Sequence, residues 1–167
     1  LTDEQNRELD GPIKQDELNK AIKTLKTVSS PGPDGVPSVF IRNFWNMIGT
    51  PFLQTFNHHL NNGKLPEDYR TARLKLIPKP GDASVFKNWR PITILNAKYK
   101  LLSGVYTERL KTVICQLVGR EQKGFSKERR AHEVILNLTE SISNFSKTGA
   151  AMCAISFDFA AAFDSVD

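Results

Sequence analysis

The sequence predicts an α+β fold, and three observations carry that expectation. Apolar residues recur at helical spacing in several stretches, a basic segment alternates with a period of two ahead of a Pro-Gly turn, and an unbroken apolar run lies late in the chain. Helices and strands alternate irregularly, which suits antiparallel pairing, and no internal repeat, low-complexity tract or flexible linker interrupts them.

Asp16-Glu17-Leu18 opens an amphipathic helix in which Leu18, Ala21, Ile22, Leu25 and Val28 share a face while Lys20, Lys23 and Lys26 turn outward. It runs into Ser29-Ser30-Pro31-Gly32-Pro33-Asp34-Gly35, where prolines and glycines exclude both helix and ladder and demand a loop of special shape. Ser38 then offers a cap for a helix over 39–48. A further apolar-periodic run, Phe52, Leu53, Phe56 and Leu60, ends at Asn61-Asn62-Gly63, a left-handed stop. Residues 72–79 alternate, with Ala72, Leu74 and Leu76 on one face of a strand and Arg73, Lys75, Ile77 and Lys79 on the other. Past the turn around Pro80-Gly81-Asp82, residues 89–95 are short and β-branched, so the two segments form an antiparallel pair joined by a basic loop. Residues 97–117 read as a helix with Leu101, Leu102, Val105, Tyr106 and Leu110 along one side, 131–145 as another, and 150–157 as a buried strand.

A chain of 167 residues that is 40% hydrophobic can build a core, and no apolar run approaches the length that spans a bilayer. The start, Leu1-Thr2-Asp3-Glu4-Gln5, has neither an initiator Met nor a targeting segment and reads as the edge of an excised piece. Cys115 and Cys153 lack metal-ligand spacing, suit a reducing intracellular compartment and read as core thiols. His58 and His59 are adjacent on a helix, face different directions and make a poor metal pair. The formal charge of +5 hides an uneven distribution: residues 64–130 hold 16 Lys and Arg against 6 Asp and Glu, a net +10, which leaves −5 for the rest. A basic middle beside an acidic N-terminal segment is the pattern of a surface that meets a polyanion, nucleic acid first among them; a solvated charged face fits the same count.

Chemistry concentrates in Ala154-Ile155-Ser156-Phe157-Asp158, where an apolar strand delivers a carboxylate at its C-terminal end. An unpaired ionised carboxylate is costly to bury, and a divalent cation sharing the site removes that cost, as in two-metal phosphoryl transfer. Taken by itself, capping the following helix is the commoner role for an aspartate so placed.

The surrounding pattern shifts that balance. Asp158-Phe159-Ala160-Ala161-Ala162-Phe163-Asp164 resembles the first catalytic motif of reverse transcriptases, an Asp followed by an aromatic five residues later. The resemblance continues in the family's order through Ser30-Pro31-Gly32-Pro33-Asp34-Gly35, Leu76-Ile77-Pro78-Lys79-Pro80-Gly81, Asn88-Trp89-Arg90-Pro91-Ile92, Arg109-Leu110 and Gln122-Lys123-Gly124-Phe125. Blocks in this order make nearly the whole chain similar to the reverse transcriptases of non-LTR, LINE-type retrotransposons, the L1 and Tx1-like branch in particular.

That resemblance implies the fingers and the start of the palm of a right-hand polymerase. Residues 1–37 would be an N-terminal extension helix and template loop, 38–149 fingers with a basic hairpin, and 150–167 the first palm strand with the first catalytic motif. It implies an RNA-directed DNA polymerase acting in the nucleus on an RNA template, a DNA primer and deoxynucleoside triphosphates. Asp158, with the backbone carbonyl of Phe159, would coordinate two magnesium ions that activate the primer 3′-hydroxyl and steady the leaving pyrophosphate. Phe163 would pack beneath the incoming sugar and exclude a 2′-hydroxyl; a core phenylalanine is the plainer alternative. Lys79 would lie near the γ-phosphate and Arg90 toward the α-phosphate and base, since a guanidinium donates two parallel hydrogen bonds where an ammonium acts as a point charge. A solvated turn lysine fits Lys79 equally well.

Arg73 and Lys75 would make general template or phosphate contacts. The loop holding Pro31, Gly32, Asp34 and Gly35 would lie over the template strand, its glycines letting backbone N–H groups approach phosphates, or serve only as a rigid connector. Gln122, Gly124, Phe125 and Arg129 match an element near the template path, with Arg130 adding charge, although solvated arginines fit there too. Two departures stand out: Ala160-Ala161 replace a commonly charged pair, and Glu128-Arg129 replace a Gly-Arg pair. Neither removes a direct ligand. The family's paired aspartates are expected beyond Asp167, so this stretch by itself is expected to make no DNA. A non-catalytic RNA-binding module and an RNA-dependent RNA polymerase are the alternative readings.

Overall fold

A computed structural model describes residues 1–124, 129–149, 153 and 155–157. The chain falls into two units, Leu1–Val118 and Gly119–Asp167.

The first unit runs α1 (Asp3–Asp10), α2 (Gln15–Thr24), α3 (Ser38–Asn43), α4 (Trp45–Asn61), α5 (Glu67–Arg70), β1 (Ala72–Pro78), β2 (Trp89–Leu95) and α6 (Ala97–Leu117), with a short 3-10 turn at Phe86–Asn88. Its core forms where α2 packs on α6 and α4. Leu18, Ala21 and Ile22 of α2 meet Leu101, Leu102 and Val105 of α6, and Phe56, Ile13, Ile41, Tyr69 and Ala97 close the cluster. Burying such side chains contributes roughly 1.5–3 kcal/mol each, which makes the α2–α6 seam the anchor of the unit.

The expected α2, α6 and antiparallel pair are all present, and the differences have local causes. α2 ends at Thr24 because Leu25 turns extended (ψ 121°), and Val28, placed on its apolar face by spacing, is 97% exposed beyond the helix. α1 carries no buried residue and so has no apolar periodicity to read; a reciprocal cap holds its start, with Gln5 N donating to Thr2 Oγ1 (3.2 Å) and Thr2 N to Gln5 Oε1 (2.9 Å). The helix expected over 39–48 is divided at Phe44 (φ −96°, ψ 10°), and its second part continues through Pro51 as α4 to the expected stop. Ser38 is not the cap: Pro37 occupies that position, and the buried Ser38 hydroxyl lies 3.2 Å from Ser29 Oγ.

β1 and β2 pair in register from Ala72↔Leu95 to Pro78↔Trp89, and most of the ribbon is exposed on both faces. Among the described residues no helix is long and apolar enough to cross a membrane.

In the second unit α7 (His132–Thr148) matches the expected helix but buries none of its residues. The described part of the expected strand at 150–157, namely Cys153 and 155–157, is in no strand, and Ile155 and Phe157 are exposed. A strand forms only by pairing, and the ladder found among the described residues is β1–β2. The core-thiol expectation is also corrected. Cys153 is exposed, and Cys115 is only half-buried because it sits more than half a turn from Val113 on α6.

Candidate nucleic-acid interface

Strand alternation and register put Arg73 and Lys75 of β1 and Arg90 of β2 on one face of the ribbon, where Arg73 faces Ile94, Lys75 faces Ile92 and Arg90 faces Ile77. Lys75 and Arg90 are diagonal neighbours, about 7–8 Å apart at their roots. All three cations are exposed, and none has a side-chain partner among the described residues. Three like charges held within a few residues of one another on one strand face repel mildly in water and gain whenever a polyanion neutralises them.

The tip of the ribbon is built around Asp82. Its carboxylate accepts from Ser84 N and Ser84 Oγ, both at 2.8 Å, and these bonds, the amide first, hold its pKa below the usual value. Asn88 Nδ2 donates to Asp82 O (2.8 Å) and Trp89 Nε1 to Ala83 O (2.9 Å), which fixes the return into β2. Lys79 stands at the end of β1 with its amide on Asn88 O (2.6 Å) and its Nζ on Lys87 O (3.2 Å). One carbonyl uses one of three ammonium protons, so Lys79 keeps donors for an anion.

The 31–35 loop has a buried base and an exposed tip. Gly32 is buried against Asn96: an added Cβ would stand 2.1 Å from Asn96 Oδ1 and 2.6 Å from its backbone N, so glycine is required by the protein's own packing. Gly35 takes φ +71°, which favours glycine. The amides of Asp34, Gly35 and Val36 donate respectively to Asn96 Oδ1 (3.2 Å), Gly32 O (3.1 Å) and Asp34 Oδ1 (3.0 Å). The loop therefore presents the outline of Pro33, Asp34 and Gly35, with these backbone donors already engaged, while Pro31 is half-buried behind them.

In the second unit, Gln122 and Gly124 are exposed, and Arg129 directs its guanidinium onto the carbonyls of Gly119 and Gln122 (3.0 Å to the latter). Lys123 Nζ pairs with Glu133 at 2.7 Å, and this hydrogen bond lowers the Glu133 pKa. Phe125, Asp158, Phe159 and Phe163 lie outside the described residues. Among the described residues no group of three or more His, Cys, Asp or Glu is arranged for a metal.

Two residues carry more than their sequence context shows. Arg109 makes five hydrogen bonds: two to Glu17 (2.6 and 2.8 Å) and one each to the carbonyls of Leu9, Gly11 and Pro12 (2.7–2.9 Å), which saturates the guanidinium. It fastens the α1–α2 junction to α6. Asn96 joins the 31–35 loop to α5. Neither role leaves a periodic signal, because each partner lies tens of residues away.

Residues 77–167 match the family described as reverse transcriptase (RNA-dependent DNA polymerase). The chain belongs to the reverse transcriptase family. Within it, the chain is 30% identical over 167 residues, its whole length, to the transposon TX1 uncharacterized 149 kDa protein of Xenopus laevis. It is 33% identical over 155 residues (93% of the chain) to a retrovirus-related Pol polyprotein from a type-1 retrotransposable element of Popillia japonica. It is 26% identical over 158 residues (93%) to the probable RNA-directed DNA polymerase from transposon BS of Drosophila melanogaster. The chain spans 13%, 21% and 17% of those relatives respectively. The retrotransposon-type reverse transcriptase identified from the ordered blocks is thereby borne out, and the TX1 similarity also takes in the 31–35 loop and α1–α5, which precede the family match.

Proposed function

We propose that this reverse transcriptase chain forms the fingers and the beginning of the palm of an RNA-directed DNA polymerase that copies retrotransposon RNA into DNA. The observation that carries the reading is the cationic ribbon face, with Arg73, Lys75 and Arg90 exposed and without side-chain partners beside Lys79. A nucleoside triphosphate presents several negative oxygens in a short span, and the Arg90 fork can hold two of them in one plane while Lys79 supplies a point charge at the tip. Arg73 and Lys75 continue the same face toward the ribbon root, where a template backbone would find them. The rigid tip of the 31–35 loop guides the template by shape. Gln122, Gly124, Phe125 and Arg129 are further proposed nucleic-acid contacts.

Asp158 and the Phe159 carbonyl are the proposed ligands of two magnesium ions, which would supply charge neutralisation at the reacting phosphate. Phe163 is the proposed filter against ribonucleotides. RNA template, DNA primer and deoxynucleoside triphosphates are the proposed partners.

Primer extension on an RNA template by the full-length parent protein tests the reading. Asp158→Ala should abolish synthesis, Arg90→Ala should raise the KM for deoxynucleotides, and Phe163→Ala should admit ribonucleotides. Normal synthesis by the Asp158→Ala protein would refute the assignment.

A further inference from the structure

Asn96 occupies the N-cap position of α6, where an asparagine ordinarily bonds an amide of its own helix, yet its side chain makes no such bond. It is 1% exposed, and its carboxamide joins two other segments instead. Oδ1 accepts from the Asp34 amide at 3.2 Å, and Nδ2 donates to the Asp68 carbonyl of α5 at 2.6 Å. These partners fix the amide's orientation, because an N–H must face its oxygen and a carbonyl its nitrogen.

The residue stands where the ribbon enters the core. β2 ends at Leu95, immediately before it, and α5 leads through Thr71 into β1. Two lysines reinforce the same junction: Lys98 pairs with the Asp68 carboxylate and lies 4.8 Å from the centre of the Tyr69 ring, and Lys100 Nζ reaches the Ser30 carbonyl at 3.5 Å. From the loop side, Gly32 presses so closely on Asn96 that no side chain fits between them.

We propose that Asn96 is a positioning residue that clamps the 31–35 loop to the root of the cationic ribbon, so that template against the loop and nucleotide against the ribbon are held in one register. The consequence for substrates rests on the functional reading above. Asn96 touches neither substrate in that arrangement; it acts through Asp34 on one side and through α5 and the two strand ends on the other.

The test uses the full-length parent protein with Asn96→Ala, Gly32→Ala and the double variant. In primer extension on an RNA template, each single variant should raise the KM for the incoming nucleotide about tenfold while kcat stays within about twofold. The double variant should be no worse than the more impaired single, because both substitutions disturb the same Gly32–Asn96 contact. An unchanged KM in cooperatively melting variants, or single effects that multiply, would overturn the proposal. Amide hydrogen exchange reads the clamp without any activity: Asn96→Ala should speed exchange about tenfold or more at residues 34–36 and at 72–73 and 94–95, with α2 unchanged. Protection retained at either end, or a speed-up that includes α2, contradicts a clamp. A wild-type protein that makes no DNA would remove the functional reading, and the exchange experiment would still decide whether the clamp exists.

Discussion

Replacing Arg109 with alanine removes a guanidinium that is 8% exposed and makes five hydrogen bonds, two of them to a Glu17 carboxylate that is 25% exposed. Breaking one side of a buried ion pair costs about 3–5 kcal/mol, and the partial exposure of Glu17 places this case near 3 kcal/mol. Three carbonyls at the α1–α2 junction lose their donor at the same time, so α1 should detach before the rest of the unit unfolds. Urea unfolding of the chain followed by circular dichroism gives the magnitude, and hydrogen exchange in α1 gives the location. Lys111→Ala is the internal control, since its pair with Glu108 is about half exposed at both ends and such pairs contribute about 1 kcal/mol or less. A loss below about 1 kcal/mol for Arg109→Ala would refute the anchoring argument. The acid limb gives an independent check. The Arg109 hydrogen bond, foremost, holds the Glu17 carboxyl below its ordinary 4.5, so the stabilisation is present above pH 4.5 and is lost as pH falls through the lower folded value. Glu17→Gln should flatten that part of the stability profile.

Burial, assisted by Asp68, raises the Tyr69 phenol from 10.0 to about 12, so its contribution is intact below pH 10 and disappears between pH 10 and 12 as the unfolded chain ionises first. Tyr69→Phe should remove that alkaline loss in a pH series of melting curves. Gly35→Ala forces a side chain into φ +71° with nothing crowding it, so a loss of about 1 kcal/mol is expected, with Gly35→Asn less harmful. For the Arg73→Ala, Lys75→Ala double variant, single-stranded RNA binding should show a salt dependence shallower by about 1.4 in log–log slope, and an unchanged slope would remove both residues from the interface.

Much of the first unit was legible because its elements carry local signals. The α2 stripe, the alternation of β1 and the Asn-Gly stop of α4 depend on residues within a few positions of one another. α1 escaped because it buries nothing, and Phe44 escaped because a break without proline or glycine leaves no mark. The candidate site divides along the same line. Arg73 and Lys75 share a face because the strand period is local, whereas the register that adds Arg90 to that face and the bonds of Asn96 to Asp34 and Asp68 join residues far apart in sequence. Gly32 was expected to open the backbone toward phosphate; its glycine is explained by contact with Asn96, a partner 64 positions away in sequence.

The net charge of the basic middle segment does not separate cations held in ion pairs from cations left open to a polyanion. Lys98, Arg109, Lys111 and Lys123 are each matched by a carboxylate, from Asp68, Glu17, Glu108 and Glu133. Their fields are largely cancelled at short range by the matching carboxylates. The ribbon is different. The acid at its tip, Asp82, accepts its hydrogen bonds from Ser84, so Arg73, Lys75 and Arg90 keep their charge uncompensated by any ion pair among the described residues. A count of lysines and arginines therefore overstates the charge left for a polyanion, since Lys98, Arg109, Lys111 and Lys123 are already matched. Among the cations left without an ion pair, Arg73, Lys75 and Arg90 share one face of a two-stranded ribbon whose second strand ends against the junction at Asn96.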